Sequence, residues 1–137
     1  MTFEVIDNFL SDYYFKSISK EVLGVRFPWY FNDQVIDDSS DRDDMFQFVH
    51  GIFSSQGVNP YPDREQYSEW YSLFKPVLTK LQVQGLMRIK LNSNTRTFFH
   101  RKSKYHIDIS NIAGSKTAIY YLNTNNGWTR FKKGGKV

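Results

Sequence analysis

The sequence predicts an α+β protein, one domain over residues 1–137, with helices at the front and strands at the back. Three observations predict it. The length of 137 residues is that of one ordinary domain. Apolar residues recur at helical spacing over 15–22 and 70–81, and from Leu86 onward they alternate. Aromatic residues make up 18%, enough to bury a core and to exclude disorder.

Each element has its own signal. Phe3, Val5 and Asp7 alternate with their neighbours and predict a short strand over 3–7. Ser11 is placed as a helix N-cap; Phe15, Ile18 and Val22 follow at helical spacing, and Gly24 ends the helix. Pro28 makes 27–31 extended. Trp29, Tyr30 and Phe31 suit either a stacking platform for bases or core packing, and the apolar surroundings favour the core. Residues 37–44 form an acidic polar loop. Phe46, Phe48 and His50 alternate with Gln47 and Val49, so 45–53 is a strand, followed by a loop over 54–62. A helix is expected from about Asp63, with Trp70, Leu73, Phe74, Val77, Leu78 and Leu81 on its inner face and Pro76 as a kink or split. Strands are expected at 86–92, 95–99 and 116–122. A turn at Asn125-Asn126-Gly127 supplies positive-φ residues, and a return strand starts at Trp128.

Composition removes several function classes. There is no cysteine, hence no disulfide, thiolate metal site or cysteine nucleophile. Any metal would sit on His, Asp or Glu. No run approaches the ~18 apolar residues of a membrane span, and the opening residues carry no signal-peptide pattern. A soluble cytoplasmic protein without membrane partners is the expectation.

The net charge of +4 hides a division. Residues 1–75 hold 13 acids and 6 bases, whereas residues 76–137 hold 1 acid and 12 bases. A basic half suits nucleic acid, an anionic small molecule, or simple complementarity with the acidic half. Its one acid is Asp108, two residues from His106. On a strand, residues two apart point to one face, so both side chains reach one ion. One imidazole and one carboxylate are two of the three ligands of the facial triad that holds non-haem Fe(II). A hydrogen-bonded His–Asp pair with no metal is the bland alternative.

After His106-x-Asp108 come Tyr120-Tyr121-Leu122-Asn123, the Asn125-Asn126-Gly127 turn, and Thr129-x-Phe131. This order resembles the 2-oxoglutarate- and Fe(II)-dependent dioxygenases of the prolyl-4-hydroxylase-like group. Val5-Ile6-Asp7-Asn8-Phe9-Leu10, residues 27–31, Phe46–His50 and Arg88–Asn92 look like segments of phage-encoded members. The resemblance implies a double-stranded β-helix (jelly roll), with the N-terminal helices packed on one sheet. It implies His106 and Asp108 as iron ligands and Tyr121 as the strand tyrosine that contacts 2-oxoglutarate. Lys90 and Asn92 would lie on the strand lining the cosubstrate pocket. Fe(II) and 2-oxoglutarate are the implied cofactors, with ascorbate as an accessory. Hydroxylation of a protein side chain or small molecule, giving succinate and CO2, is the implied reaction, in the host cytoplasm if the protein is phage-encoded.

The sequence departs from the pattern after Phe131. The family's distal histidine and the later Arg or Lys for the far carboxylate of 2-oxoglutarate have no counterpart, so the C-terminal strands of the jelly roll are expected to be missing. His50 and His100 both precede His106. His50 is expected to be a buried, hydrogen-bonded core residue, and His100 a loop residue. Arg96 and Arg101, with Lys102 and Lys104, form a basic rim before the metal motif, suited to an anionic substrate or to solvent. The competing reading is a non-catalytic basic module for nucleic acid or an acidic partner.

Overall fold

The computed structural model describes residues 3–33, 46–55, 66–99, 105 and 114–131. Its architecture is α+β: two helices and a small antiparallel sheet. The expected acidic loop over 37–44, and most of the loop over 54–62, lie outside the described residues.

Helix α1 spans Asp12–Val22. Ser11 precedes it in an extended conformation (φ −63, ψ 154), and its carbonyl accepts the Phe15 N–H at 3.0 Å. The Ser11 side chain makes no capping bond, so backbone geometry alone starts the helix. Ile18 and Val22, four apart, are each 1% exposed and carry the buried stripe. Gly24 follows the helix for a reason other than left-handed backbone. A Cβ there would stand 2.9 Å from the Lys20 carbonyl oxygen, which only glycine avoids.

Strand β1 spans Tyr30–Asn32, β2 Gln47–Ser54, β3 Gln66–Tyr67 and β4 Arg88–Ser93. β2 is the centre. One edge of it pairs with β4, and the other with β1 at its start and β3 at its end, all antiparallel. The β2–β4 register shifts by one between Gly51 and Phe53, so Ile52 is an extra residue on β2. The bulge lets two successive side chains, Ile52 and Phe53, both be buried, at 0% and 5% exposure. Strict alternation would have sent one of them to the opposite face.

Between β3 and β4, a 3-10 turn over Tyr71–Phe74 runs into α2, Lys75–Lys80. Pro76 sits in the first turn of α2, where its missing N–H costs nothing. The helix expected from Asp63 is therefore shorter than its apolar pattern, and residues 66–67 pair with β2 instead. The end of α2 is a Schellman motif. Val83 N–H reaches the Leu78 carbonyl at 3.2 Å and Gln82 N–H the Thr79 carbonyl at 3.0 Å, with Gln82 at φ 52.

The core joins Leu10, Ile18 and Val22 with Phe27, Ile52, Phe74 and Leu91. Trp29, Trp70, Val77, Ile89, Tyr120 and Leu122 pack against it. The helices thus cover the sheet face that carries Ile52 and Leu91. Truncating a side chain such as Ile52 in this core would cost about 2–5 kcal/mol.

Further expectations need correction. Residues 3–7 form no strand; Val5 and Ile6 are exposed, and Phe3 instead stacks on Phe131 at 4.6 Å. Residues 95–99 are irregular, with Thr97 bonding locally to the Phe99 carbonyl at 2.6 Å. Residues 116–122 and 128–131 belong to no ladder beyond a single bridge at Arg130, although 119–122 keep an alternation of exposed and half-buried positions. Alternation reports a two-sided environment, and a ladder also needs a neighbouring strand. Lastly, Trp29 joins the core as expected, but Tyr30 and Phe31 are exposed.

Candidate functional site

β4 sorts its side chains by the pleat. Ile89 and Leu91 turn to the core, while Arg88, Lys90 and Asn92 are exposed on the other face. Lys90 stands opposite Gly51 and Asn92 opposite Val49. Lys90 and Asn92 therefore share one sheet face.

The segment before the Asn125 turn is sorted in the same way. Tyr120 and Leu122 pack on the core, and Tyr120 meets the rings of Phe9 and Phe15 edge-on at 6.1 and 6.4 Å. Burial pushes the Tyr120 phenol above its ordinary value of 10.0. Tyr121 turns outward, and its hydroxyl lies 2.8 Å from Thr129 Oγ1. The chain between them reverses at Asn125, whose Oδ1 accepts the Gly127 N–H at 2.9 Å. This Asx turn replaces the positive-φ hairpin turn expected there: among the described residues only Asn8, Gln82 and Gly114 have positive φ.

His106, Asp108 and Arg101 lie outside the described residues, as does His100. Arg96 is exposed after β4. Among the described residues no group of three or more His, Asp or Glu side chains is placed to hold a metal ion. No helix among them is long and apolar enough to cross a membrane.

His50 is described fully, and it is the buried, hydrogen-bonded residue expected from the sequence. It is 5% exposed. The Pro28 carbonyl, 2.7 Å from Nδ1, is an acceptor only, so Nδ1 carries the proton and donates. Nε2 then accepts from the Ser68 hydroxyl at 2.8 Å, and Ser68 Oγ accepts the Trp70 N–H at 3.2 Å. Both ring nitrogens are committed within the fold, which leaves His50 no lone pair for a metal.

Sequence reasoning missed two residues here. Ser68 had no signal, because its partner is 18 positions away. Thr129 did have one: it stands as far after Asn125 as Tyr121 stands before it, so a reversal centred on Asn125 sets the two opposite each other.

The surface depression at the end of α2, lined by Tyr71, Leu78, Thr79, Gln82, Val83 and Leu86 among others, takes in none of the nominated residues. No family model matches the chain, no curated protein matches it, and no solved structure matches it.

Proposed function

We propose that the chain carries the fold and part of the site of an Fe(II)- and 2-oxoglutarate-dependent dioxygenase, prolyl-4-hydroxylase-like, with the β2-centred sheet as one layer of a jelly roll. The reading rests on the ordered set His106-x-Asp108, Tyr121-Leu122-Asn123, the turn, and Thr129-x-Phe131. The observation that carries it furthest is the disposition of Tyr121. Its neighbours Tyr120 and Leu122 anchor the segment in the core, and its hydroxyl is presented outward on a fixed partner. The exposed side chains of Lys90 and Asn92 on one sheet face are a second support.

The residues fit the groups they would hold. His106 and Asp108 are an imidazole and a carboxylate, the donor types that Fe(II) takes while keeping positions open. A phenol and an ammonium group suit an anionic cosubstrate. Bound Fe(II) with 2-oxoglutarate and O2 supplies the redox chemistry: the cosubstrate is decarboxylated to succinate and CO2, and a C–H bond of the substrate is hydroxylated.

The chain's own contribution is positional. Tyr121 holds a cosubstrate carboxylate through its hydroxyl, and Lys90 adds positive charge. His106 and Asp108 supply two ligands; His50, committed to Pro28 and Ser68, is not the third. The test is Fe(II)- and 2-oxoglutarate-dependent succinate release by the 137-residue chain. Release that disappears in both His106→Ala and Asp108→Ala supports the reading. A folded chain that releases none and holds no stoichiometric iron overturns it.

A further inference from the structure

We propose that Thr129 is a positioning residue for the Tyr121 hydroxyl, and that together they give the site its carboxylate-binding donor; this rests on the dioxygenase reading above. The hydroxyls lie 2.8 Å apart, close enough for one O–H to donate to the other oxygen. Two hydroxyls in such a pair spend one proton between them and keep the other. With Thr129 donating to the phenol oxygen, the phenol O–H is left to point at a ligand. It is also a stronger donor there, because hydrogen bonds in series polarise one another.

The backbone makes this arrangement stiff. Asn125 closes the reversal through its side chain, with Oδ1 on the Gly127 N–H at 2.9 Å and Nδ2 on the Asn123 carbonyl at 3.4 Å. Residues 121 and 129 are set opposite each other by a turn held from within. Thr129 is half-buried and β-branched, so its hydroxyl has few alternatives, whereas Tyr121 is 44% exposed and open to a ligand. A tyrosine at that exposure with no partner would swing its hydroxyl freely. Bonding to Thr129 fixes the donor before the ligand arrives, which lowers the ordering cost of binding.

The experiment compares wild type with Thr129→Val, Thr129→Ser and Tyr121→Phe. Valine keeps the shape and removes the hydroxyl; serine restores it. Binding of 2-oxoglutarate to the metal-free protein is followed by ligand-observed NMR, and succinate release gives KM and kcat. Losing the bond is expected to weaken 2-oxoglutarate binding and raise its KM by about tenfold in Thr129→Val. The expected kcat stays within about twofold, and Thr129→Ser returns KM to near wild type. If Thr129→Val binds like wild type while Tyr121→Phe is weakened, the positioning role is overturned and the dioxygenase reading stands. If wild type itself neither binds 2-oxoglutarate nor releases succinate, the dioxygenase reading falls and takes this role with it. A Thr129→Val protein whose thermal stability falls while its KM is unchanged also overturns the proposal, because Thr129 would then be structural only.

Discussion

His50 Nε2 sits 2.8 Å from Ser68 Oγ, so the imidazole ties the turn after β3 to the centre of the sheet. Its other nitrogen reaches back to the Pro28 carbonyl just before β1. One side chain thus spans the gap left on the β2 edge between β1 and β3, where among the described residues no strand pairs with residues 50–52 on that edge. The Ser68 N–H, bonded to the Ile52 carbonyl at 2.8 Å, completes the closure. The ring also lies 4.7 Å from that of Phe27, so the clip is packed as well as bonded.

Replacing His50 with Ala should therefore destabilise the fold by about 2–3 kcal/mol, because the Pro28 carbonyl and the Ser68 hydroxyl lose their partner in a buried setting. Iron affinity per folded molecule should not change. Urea unfolding and metal content measured on the same sample check both statements. A stable His50→Ala protein that no longer binds iron would show that the imidazole is a ligand and not a clip.

Gln82 has φ 52, in the left-handed region, at the position that ends α2. A side chain there is strained, and glycine is the residue that relieves it. Gln82→Gly should raise stability by about 0.5–1 kcal/mol, read as an increase in the urea midpoint at unchanged slope. An unchanged or lowered midpoint would mean that the glutamine side chain contributes more than its backbone costs.

Tyr120 gives a pH dependence of known sign. Burial raises its folded-state value above the ordinary 10.0, so the folded chain holds its phenol proton longer than the unfolded chain does. Its contribution is fully present below pH 10 and is lost as pH rises from there through the folded value. Stability of the wild type should fall over that alkaline range more steeply than that of Tyr120→Phe. Parallel curves for the two proteins would contradict the assignment of this slope to Tyr120.

Much of the front half was legible because each of its signals is local. Ile18 and Val22 lie one helical turn apart and need no distant partner to be read as a buried stripe. The alternation of β2 and β4 was equally plain, whereas the Ile52 bulge was not, since it exists only in the pairing with β4. The strands read at 95–99, 116–122 and 128–131 show the limit. Alternation was real at 119–122, where Tyr120 and Leu122 reach the core, but a ladder depends on a neighbour that no local pattern names. At the site, Lys90 and Asn92 were legible as members of one alternating strand and His50 as a buried residue, whereas Tyr121 was named by resemblance alone. The Tyr121–Thr129 bond depends on how the chain reverses at Asn125, where the side chain closes the turn.

The dioxygenase proposal is tested most directly by succinate release from 2-oxoglutarate with Fe(II) present, alongside iron content, for wild type, His106→Ala and Asp108→Ala. The proposal predicts Fe(II)-dependent succinate from wild type and loss of both succinate and bound iron in each variant, with the fold kept. A folded wild type that releases no succinate and holds no stoichiometric iron would contradict it.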